Sequence, residues 1–460
     1  MGGFTLNSFF TYANGLVVVC LIFVVLMVIG KLKTTKIVES VVKFLIAIMA
    51  TASLVVLLMQ TYNVDIGKLV KQTSLKLNII DLGWTPAAII TWSSAYNLLV
   101  LFVMMIVNLI LLRKHWTQTL DIDVFDIWHL SFVGLLAVYM GANIVVSLVF
   151  VIGLGILKFI NSDLMKPTFN DLMKDQNSPM TSTHMNYLMN PIVMLLNDIC
   201  TLIIPGIDKI NFDSAKLNKA VGFWSSKFAT GFFLGILIGL MGRINAKDTL
   251  GLAFLLGAFL ELFNVIGSWL TSSLDPIIQV ITDKLNKKAG TDVKFIGLDW
   301  AFLSSRPEVW SVANILAPCL IIEAFLLPGN RIIPLGGLIA MGITPSLLVI
   351  TRGKVMRMIV IGIVEIPIFL WSATLTAPFI TSMFKNILLT NNNNIGLIGS
   401  ATKEGPIEQL LAIMIGKSSS GDVKFIGMTV VALAAYLLLF YWYQRKMKQR
   451  NKSYIAESKN

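Results

Sequence analysis

The chain has 460 residues, of which 56% are hydrophobic and only 13% are charged, and its formal net charge is +12. Charged residues make up about a quarter of an ordinary soluble domain, so this composition argues against a soluble globular protein and favours one that lies in a lipid bilayer. The positive charge does not indicate nucleic-acid binding, because the basic residues cluster at the ends of apolar segments, as the positive-inside bias of membrane proteins predicts.

Apolar windows of about 20 residues, the length that crosses a bilayer, predict eleven membrane spans. In chain order they are 12–30, 44–59, 95–112, 128–140, 144–160, 223–241, 250–270, 309–327, 332–350, 355–380 and 425–442. The fourth and fifth could instead form one long helix, but this would place the basic segment 158–227 outside the cell. Charge therefore favours eleven spans, with the N-terminus outside and the C-terminus in the cytoplasm.

The first five spans and the next five have similar spacing, with a loop of about 35 residues before the third span of each set. These two loops contain Asp81-Leu82-Gly83-Trp84 and Gly297-Leu298-Asp299-Trp300. Because five is an odd number, the second set crosses the membrane in the opposite sense, which is the inverted-repeat plan of many transporters. The sequence thus predicts a single all-α polytopic membrane domain over 1–460, with inverted five-helix halves at about 10–162 and 220–383 and a last span at 425–442.

Two further segments are neither simple loops nor predicted spans. Residues 161–219 are mixed and Met-rich, which is typical either of amphipathic helices on the cytoplasmic face or of an ordinary connecting domain. Residues 406–416 are apolar enough to form a re-entrant segment that dips into the membrane.

The chain contains no phosphate-binding Walker A pattern, no HExxH pair and no GxSxG elbow. Cys20, Cys200 and Cys319 lie far apart in apolar sequence and have no metal-ligand spacing. We therefore expect no catalytic residue, no metal and no cofactor, and an ATP-driven pump is excluded.

Polar and indole side chains near the two loops suit a sugar or polyol. Carboxylates and guanidinium groups bind vicinal hydroxyls, and indole faces cover the apolar C–H side of a sugar. The candidate substrate-binding residues are Asp81, Trp84, Thr91, Trp92, Asp299, Trp300, Arg306 and Glu308. Interfacial tryptophan is otherwise common in membrane proteins, so Trp92 could be an ordinary interface residue.

His129 is a further candidate, because it follows Asp121, Asp123 and Asp126 at the start of the fourth predicted span. An imidazole near carboxylates can relay protons or hold a hydroxyl. The alternative is a helix N-terminus where the carboxylates satisfy the helix dipole, which we prefer for Asp121 and Asp123. His115 and His184 are expected at the surface.

Glu261, Glu323 and Glu365 lie within predicted spans, where ionisable groups are usually functional. They leave open an alternative function, a secondary transporter coupled to protons or sodium.

The chain resembles the galactitol-type enzyme IIC, the membrane permease subunit of the bacterial phosphoenolpyruvate-dependent sugar phosphotransferase system. The likeness covers most of the length, and its motifs are Asp81-Leu82-Gly83-Trp84, Thr91-Trp92, Asp121-Ile122-Asp123, Ile127-Trp128-His129 to Gly134, Gly297-Leu298-Asp299, Pro328-Gly329-Asn330-Arg331 and Pro334-Leu335-Gly336. The resemblance implies a multi-pass protein of the bacterial cell membrane that carries a galactitol-like substrate, while separate IIA and IIB proteins relay the phosphoryl group. Similarity to ascorbate permeases of the same superfamily implies a homodimer in which a mobile core moves against a scaffold.

The sequence departs from the galactitol pattern at four places. Trp300 replaces a proline, Ser305-Arg306 replaces a glycine followed by histidine or asparagine, Glu308 replaces a small residue, and Gly337 replaces an aspartate. We therefore predict that Arg306 and Glu308 change which sugar the pocket accepts.

Overall fold

The computed structural model describes residues 14–73, 76–210, 226–289, 293–298, 306–337, 342–387, 396–403 and 405–457. About 77% of the structure is helical. The helices are α1 Asn14–Ile29, α2 Thr34–Thr73, α3 Thr85–Trp92, α4 Ala95–Arg113, α5 Ile127–Tyr139, α6 Ile144–Met173, α7 Asn190–Ile203, α8 Lys227–Met241, α9 Ala246–Ala289, α10 Pro307–Leu326, α11 Thr344–Thr351, α12 Val355–Ile387, α13 Pro406–Ser419 and α14 Val423–Glu457. The short strands are β1 Ile79–Asp81, β2 Thr119–Asp121, β3 Met180–Ser182, β4 Phe295–Leu298, β5 Ile332–Ile333 and β6 Leu397–Gly399.

Within the described residues, eight helices are long and apolar enough to cross a membrane. Seven of them coincide with predicted spans, and they are Thr34–Leu58, Ala95–Arg113, Ile144–Met173, Ala246–Ile281, Pro307–Leu326, Val355–Asn386 and Val423–Tyr454. The predicted first, fourth and sixth spans correspond to the shorter apolar helices Val19–Ile29, Ile127–Tyr139 and Phe228–Met241. The chain is therefore a polytopic helical membrane protein, and the count of eleven spans stays a prediction.

The ninth predicted span, 332–350, is wrong as a continuous helix. Of its described residues, 332–337 and 342–350, the first form strand β5 and the helical ones are those at its end, in α11. Eight residues of helix extend about 12 Å, less than half the thickness of a bilayer core. Pro334 and Pro345 interrupt the apolar run, and helices usually do not continue through the residue that precedes a proline.

The described part of the segment 161–219 contains several different elements. Its first residues extend α6, strand β3 follows, and Met185–Ile203 is long and apolar enough to cross a membrane. One face of α7 is buried at Val193, Met194 and Cys200, and the other exposes Leu202 and Ile203. The composition of this segment indicates an amphipathic helix. That character is found in α7, which packs on the core.

Two small parallel sheets interrupt the helices, which the all-α prediction did not include. Their strand orders are β5-β1-β6 and β2-β4-β3. In the first sheet, β1 from the N-terminal half lies between β5 from the C-terminal half and β6, which follows that half in the chain. In the second sheet the arrangement is reversed, because β4 lies between β2 and β3.

Helices α1, α2, α8 and α9 pack mainly on one another, and we call them the four-helix unit. The remaining elements form the core unit, which meets the four-helix unit mainly through α3 and α4. Gly231, Gly235 and Gly239 allow α8 to approach α9 closely; a Cβ atom on Gly235 would lie 2.4 Å from Cα of Ala253. Such small residues at spacings of four are typical of tightly packed membrane helices.

Candidate functional site

Asp81 ends strand β1 and holds together the chain segments that follow all three strands of its sheet. Its fully buried carboxylate accepts hydrogen bonds from the backbone N–H groups of Gly83 at 2.9 Å, Leu335 at 3.1 Å and Gly337 at 2.6 Å, and a further one from Ala401. Gly83 has a φ of +72°, which favours glycine. We conclude that in this conformation Asp81 positions the loops, which differs from the direct substrate contact that the sequence suggests.

Asp121 has the corresponding position at the end of β2. The buried ammonium group of Lys158 on α6 lies 2.8 Å from Oδ2 of Asp121, and the hydroxyl of Thr183 donates to Oδ1 at 2.7 Å. The carboxylate therefore ties β2 to α6 and to the residue after β3. These contacts go beyond the stabilisation of a helix dipole that the sequence predicts for Asp121.

Asp126 lies between two imidazoles, those of His129 and His184, and all three residues are buried. Nε2 of His184 is 3.2 Å from Oδ2 of Asp126, and Nδ1 of His129 is 3.6 Å from Oδ1. The two rings are 4.7 Å apart at their centroids. The expectation that His184 lies at the surface is wrong, because the chain turns inward after β3 and buries the imidazole.

The same three residues could hold a metal ion, since their ligand atoms all lie within 4.8 Å of one another. The hydrogen bonding of His184 favours a different arrangement. The backbone N–H of Asn186 donates to Nδ1 of His184 at 3.0 Å, so in the neutral ring Nε2 carries the proton. That proton faces Asp126, so the geometry favours a close pair of His184 and Asp126, which we call the dyad, over a metal ligand set.

Aromatic rings surround this dyad. Trp84, the residue before α3, lies 6.2 Å from Phe125 and 6.4 Å from Trp128 between ring centroids. Trp92 at the end of α3 stacks on the other side of Phe125 at 6.2 Å. Trp128 in turn packs on its neighbour His129. The four aromatic residues thus form a continuous wall beside the imidazoles.

Trp84 and Trp92 also mark the boundary between the two units. Trp84 packs on Gly267 of α9, where a Cβ atom would lie 2.9 Å from the indole. Trp92 lies 6.1 Å from Phe23 of α1. The aromatic wall is therefore placed where the core unit meets the four-helix unit.

The residues after β6 add a cation to the same site. The buried ammonium group of Lys403 lies 3.5 Å from the centroid of Phe132 and 5.3 Å from that of Trp128. A cation over an aromatic face is stabilised by the ring quadrupole. Glu408, in the first turn of α13, is fully buried and interacts electrostatically with Lys403. The ends of both sheets therefore converge on one buried region of indole, imidazole, carboxylate and ammonium groups, which we call the central site.

Helix α11 connects to the central site at its N-terminal end. The hydroxyl of Ser346 donates to the backbone oxygen of Asn186 at 2.7 Å, two residues beyond His184. This contact joins the start of the short helix to the segment that carries His184.

The other sequence-based candidates are distributed differently. The hydroxyl of Thr91 donates to the backbone oxygens of Ala87 and Ala88 within its own helix. Arg306 donates to the backbone oxygen of Leu172 at 3.0 Å and pairs with Glu308 at 2.8 Å. Arg306 therefore contacts the end of α6, and Glu308 contacts Arg306. Asp299 and Trp300 lie outside the described residues.

Sequence reasoning missed Trp128, His184, Lys403 and Glu408 as parts of the site. The available signal was positional, since each follows closely after a short strand at a point where the strand ends of one sheet meet. Strands of two to four residues are too short to give the alternating pattern on which strand prediction depends.

Comparison with known proteins assigns the family. Residues 9–392 match the sequence profile of the family described as PTS system sugar-specific permease component, EIIC-GAT. The galactitol-specific EIIC components of Escherichia coli (strain K12) and Escherichia coli O157:H7 are each 28% identical over 320 residues, which cover 68% of this chain and 69% of theirs. A provisionally named permease IIC component of Escherichia coli (strain K12) is 23% identical over 435 residues, 93% of this chain and 96% of its own.

The family match implies a membrane location and separate IIA and IIB partner components. It agrees with the eight apolar helices long enough to cross a membrane. The chain belongs to the galactitol-type enzyme IIC family, and it is a multi-pass sugar or polyol permease of the phosphotransferase system.

Proposed function

We propose that this permease translocates galactitol or a closely similar polyol through the central site, for phosphorylation by its IIB partner. The supporting observation is the convergence of Trp84, Trp128, His184 and Lys403 at the carboxyl ends of the two sheets. Hydroxyl groups of a polyol can bond the imidazoles, the carboxylate and the ammonium group, and the indoles can cover its C–H face. Asp299, Trp300, Arg306 and Glu308 stay proposed contributors to sugar choice.

We further propose that the two halves are inverted repeats. The exchange of strands between the sheets supports this, because each half supplies the central strand of one sheet and one flanking strand of the other, and the second flanking strand follows that half in the chain. The order of elements also repeats: in each half a short helix, a very long helix and a strand precede a membrane-crossing helix. Such halves oppose each other around a substrate site.

Transport requires that the central site open to each side in turn. The proposed motion is a displacement of the core unit against the four-helix unit, because the described contacts between the two units are few compared with those inside each. Trp84 and Trp92 lie at this boundary, so the same rings could contact both the substrate and the four-helix unit. In the proposed orientation the N-terminus is outside, the C-terminus is cytoplasmic and the protein is a homodimer.

The permease itself supplies no phosphoryl-transfer residue in this proposal. The alternative is a secondary transporter coupled to protons or sodium through Glu261, Glu323 or Glu365. Glu365 is buried within α12, which keeps this alternative open to test.

One experiment separates the two functions. Vesicles containing the protein receive labelled galactitol, with and without phosphoenolpyruvate and the soluble phosphotransferase proteins. We expect galactitol phosphate inside only when the complete phosphoryl relay is present. Accumulation of unmodified galactitol that collapses with an ionophore would support the secondary transporter.

A matched pair of variants links the transport activity to the central site. Lys403 and Lys417 both lie over aromatic rings, those of Phe132 and Phe425, but only Lys403 belongs to the central site. We expect Lys403→Met to lose uptake and Lys417→Met to retain it. Equal activities in the two variants would contradict the assignment of the site.

A further inference from the structure

A charged cleft lies at the other end of α11 from the central site. Its volume is about 660 Å³. The last residues of α11, Ile350 and Thr351, line it together with Met194 and Asn197 of α7. Five cationic side chains also line it, namely Arg352, Lys354, Arg357, Lys446 and Arg450.

Carboxylates balance only part of this positive charge. Asp171 pairs with Arg352 at 3.0 Å and Asp198 with Lys446 at 3.0 Å. Asp208 binds both Lys354, at 2.7 Å, and Arg357. These two cations hold the pKa of Asp208 below its usual range, so it stays ionised at neutral pH. Among the residues that the structure describes, five cations thus face three carboxylates, which gives this part of the cleft an excess of positive charge.

Arg450 links the cleft to the short helix. Its guanidinium donates to the backbone oxygens of Val349 at 2.8 Å and Ile350 at 3.1 Å. These are among the last carbonyls of α11, where a cation also complements the helix dipole. The C-terminal part of α14 therefore holds α11 in place.

Helix α11 spans the distance between the cleft and the central site. Ser346 near its start bonds to the segment that carries His184, and Thr351 at its end lines the cleft. Eight helical residues extend about 12 Å. An anion held in the cleft would consequently be separated from the proposed sugar position by about the length of α11.

We propose that this cationic cleft is the docking site for the phosphorylated segment of the IIB partner. The inference rests on the proposed function, because it needs a phosphoryl donor that approaches the bound polyol from the cytoplasm. A phosphoryl group carries nearly two negative charges and three strong acceptor oxygens, and arginine guanidinium groups bind it with two parallel hydrogen bonds. Three arginines and two lysines in one concavity match these requirements.

An anionic lipid headgroup has related chemistry but fits the cleft less well. Headgroups bind basic side chains beside apolar surfaces that receive the acyl chains. Among the described residues that line the cleft, Met194 and Ile350 carry the two apolar side chains, and the other eight residues are polar or charged. The observations therefore favour a phosphoprotein.

The test uses the full-length protein in nanodiscs and measures binding of purified phosphorylated and unphosphorylated IIB. Lys354 and Lys446 are suitable for substitution, because their side chains are 51% and 45% exposed. We expect the double variant Lys354→Gln/Lys446→Gln to bind phosphorylated IIB roughly tenfold more weakly and to lose most of the preference for the phosphorylated form. The matched control is the double variant Lys448→Gln/Lys452→Gln. Both positions are exposed on α14, the helix that carries Lys446, and are not among the residues that line the cleft. This variant should bind phosphorylated IIB as the wild type does.

The outcomes distinguish this inference from the proposed function. If wild-type vesicles bind phosphorylated IIB but form no galactitol phosphate, the proposed function fails and the cleft assignment stands. If the wild type forms galactitol phosphate and the cleft variant still binds phosphorylated IIB with unchanged affinity, the cleft assignment is overturned. It is also overturned if the loss of affinity occurs only in nanodiscs that contain anionic lipid, since the cleft would then be a headgroup site.

Discussion

Nε2 of His184 lies 3.2 Å from Oδ2 of Asp126, although one residue follows β3 and the other precedes α5. Both residues come shortly after outer strands of the same sheet, and β4 between those strands brings their ends together. The order of strands in this sheet therefore brings Asp126 and His184 together, although they lie far apart in the sequence.

The dyad predicts that His184 is needed for substrate binding. His184→Ala removes the donor that faces the buried carboxylate of Asp126, which costs about 1–3 kcal/mol, so we expect galactitol uptake to fall by roughly tenfold or more. His184→Gln retains an N–H donor and should recover part of the activity. His115→Ala, in an exposed turn, is the control, and equal uptake in the His184 and His115 variants would refute the role.

Asp81 is predicted to act mainly on folding. Asp81→Ala leaves the buried N–H groups of Gly83, Leu335 and Gly337 without their acceptor, and each such group costs about 1–3 kcal/mol. We expect a lower yield and a large drop in the thermal unfolding temperature. Asp81→Asn, which keeps one acceptor oxygen, should be intermediate, and Asp275→Ala, on the exposed side of α9, should be close to wild type. A fully stable Asp81→Ala that fails only in sugar binding would show direct substrate contact instead.

Because α8 and α9 pack closely, we expect the stability of the four-helix unit to depend strongly on side-chain size at their interface. A Cβ atom on Gly235 would lie 2.4 Å from Cα of Ala253, whereas one on Gly251 would lie within 4 Å of no atom in the described part of the chain. Gly235→Val should therefore destabilise the four-helix unit by about 1–3 kcal/mol or more, measured as earlier thermal unfolding in detergent. Gly251→Val is the matched control. Similar unfolding temperatures for the two variants would contradict the packing described for these helices.

Arg306 and Glu308 give a prediction with two distinguishable outcomes. The sequence predicts that Arg306→Ala or Glu308→Ala changes the preference among galactitol and its stereoisomers, measured as relative uptake in competition. The structure gives the pair a contact with Leu172 at the end of α6. An unchanged preference with lower total uptake would therefore assign the pair to holding α10 against α6 and would reject the role in sugar choice.

Much of the architecture could be predicted, because the bilayer imposes a simple rule on the sequence. Helices that face lipid must be long and apolar, so the sequence predicts α4 and α10 almost with their observed limits and predicts the start of α6, which extends further than expected, to Met173. The same rule gave a wrong prediction for the region of β5 and α11. A segment that is buried among other helices without crossing the bilayer is as apolar as a membrane span. Apolar windows do not distinguish these two cases.

The sequence by itself determined that the chain is a multi-pass membrane protein, and its motifs placed it in the right family. Those properties depend on composition and on local order, which one-dimensional patterns record. Tertiary structure decided which polar groups meet. Lys403 reaches Phe132, and His184 reaches Asp126, because short strands from both halves pair in parallel and bring their ends to one place. Strand pairing depends on backbone hydrogen bonds between distant segments. Because these bonds do not require particular side chains, the sequence gives little indication of which side chains they bring together.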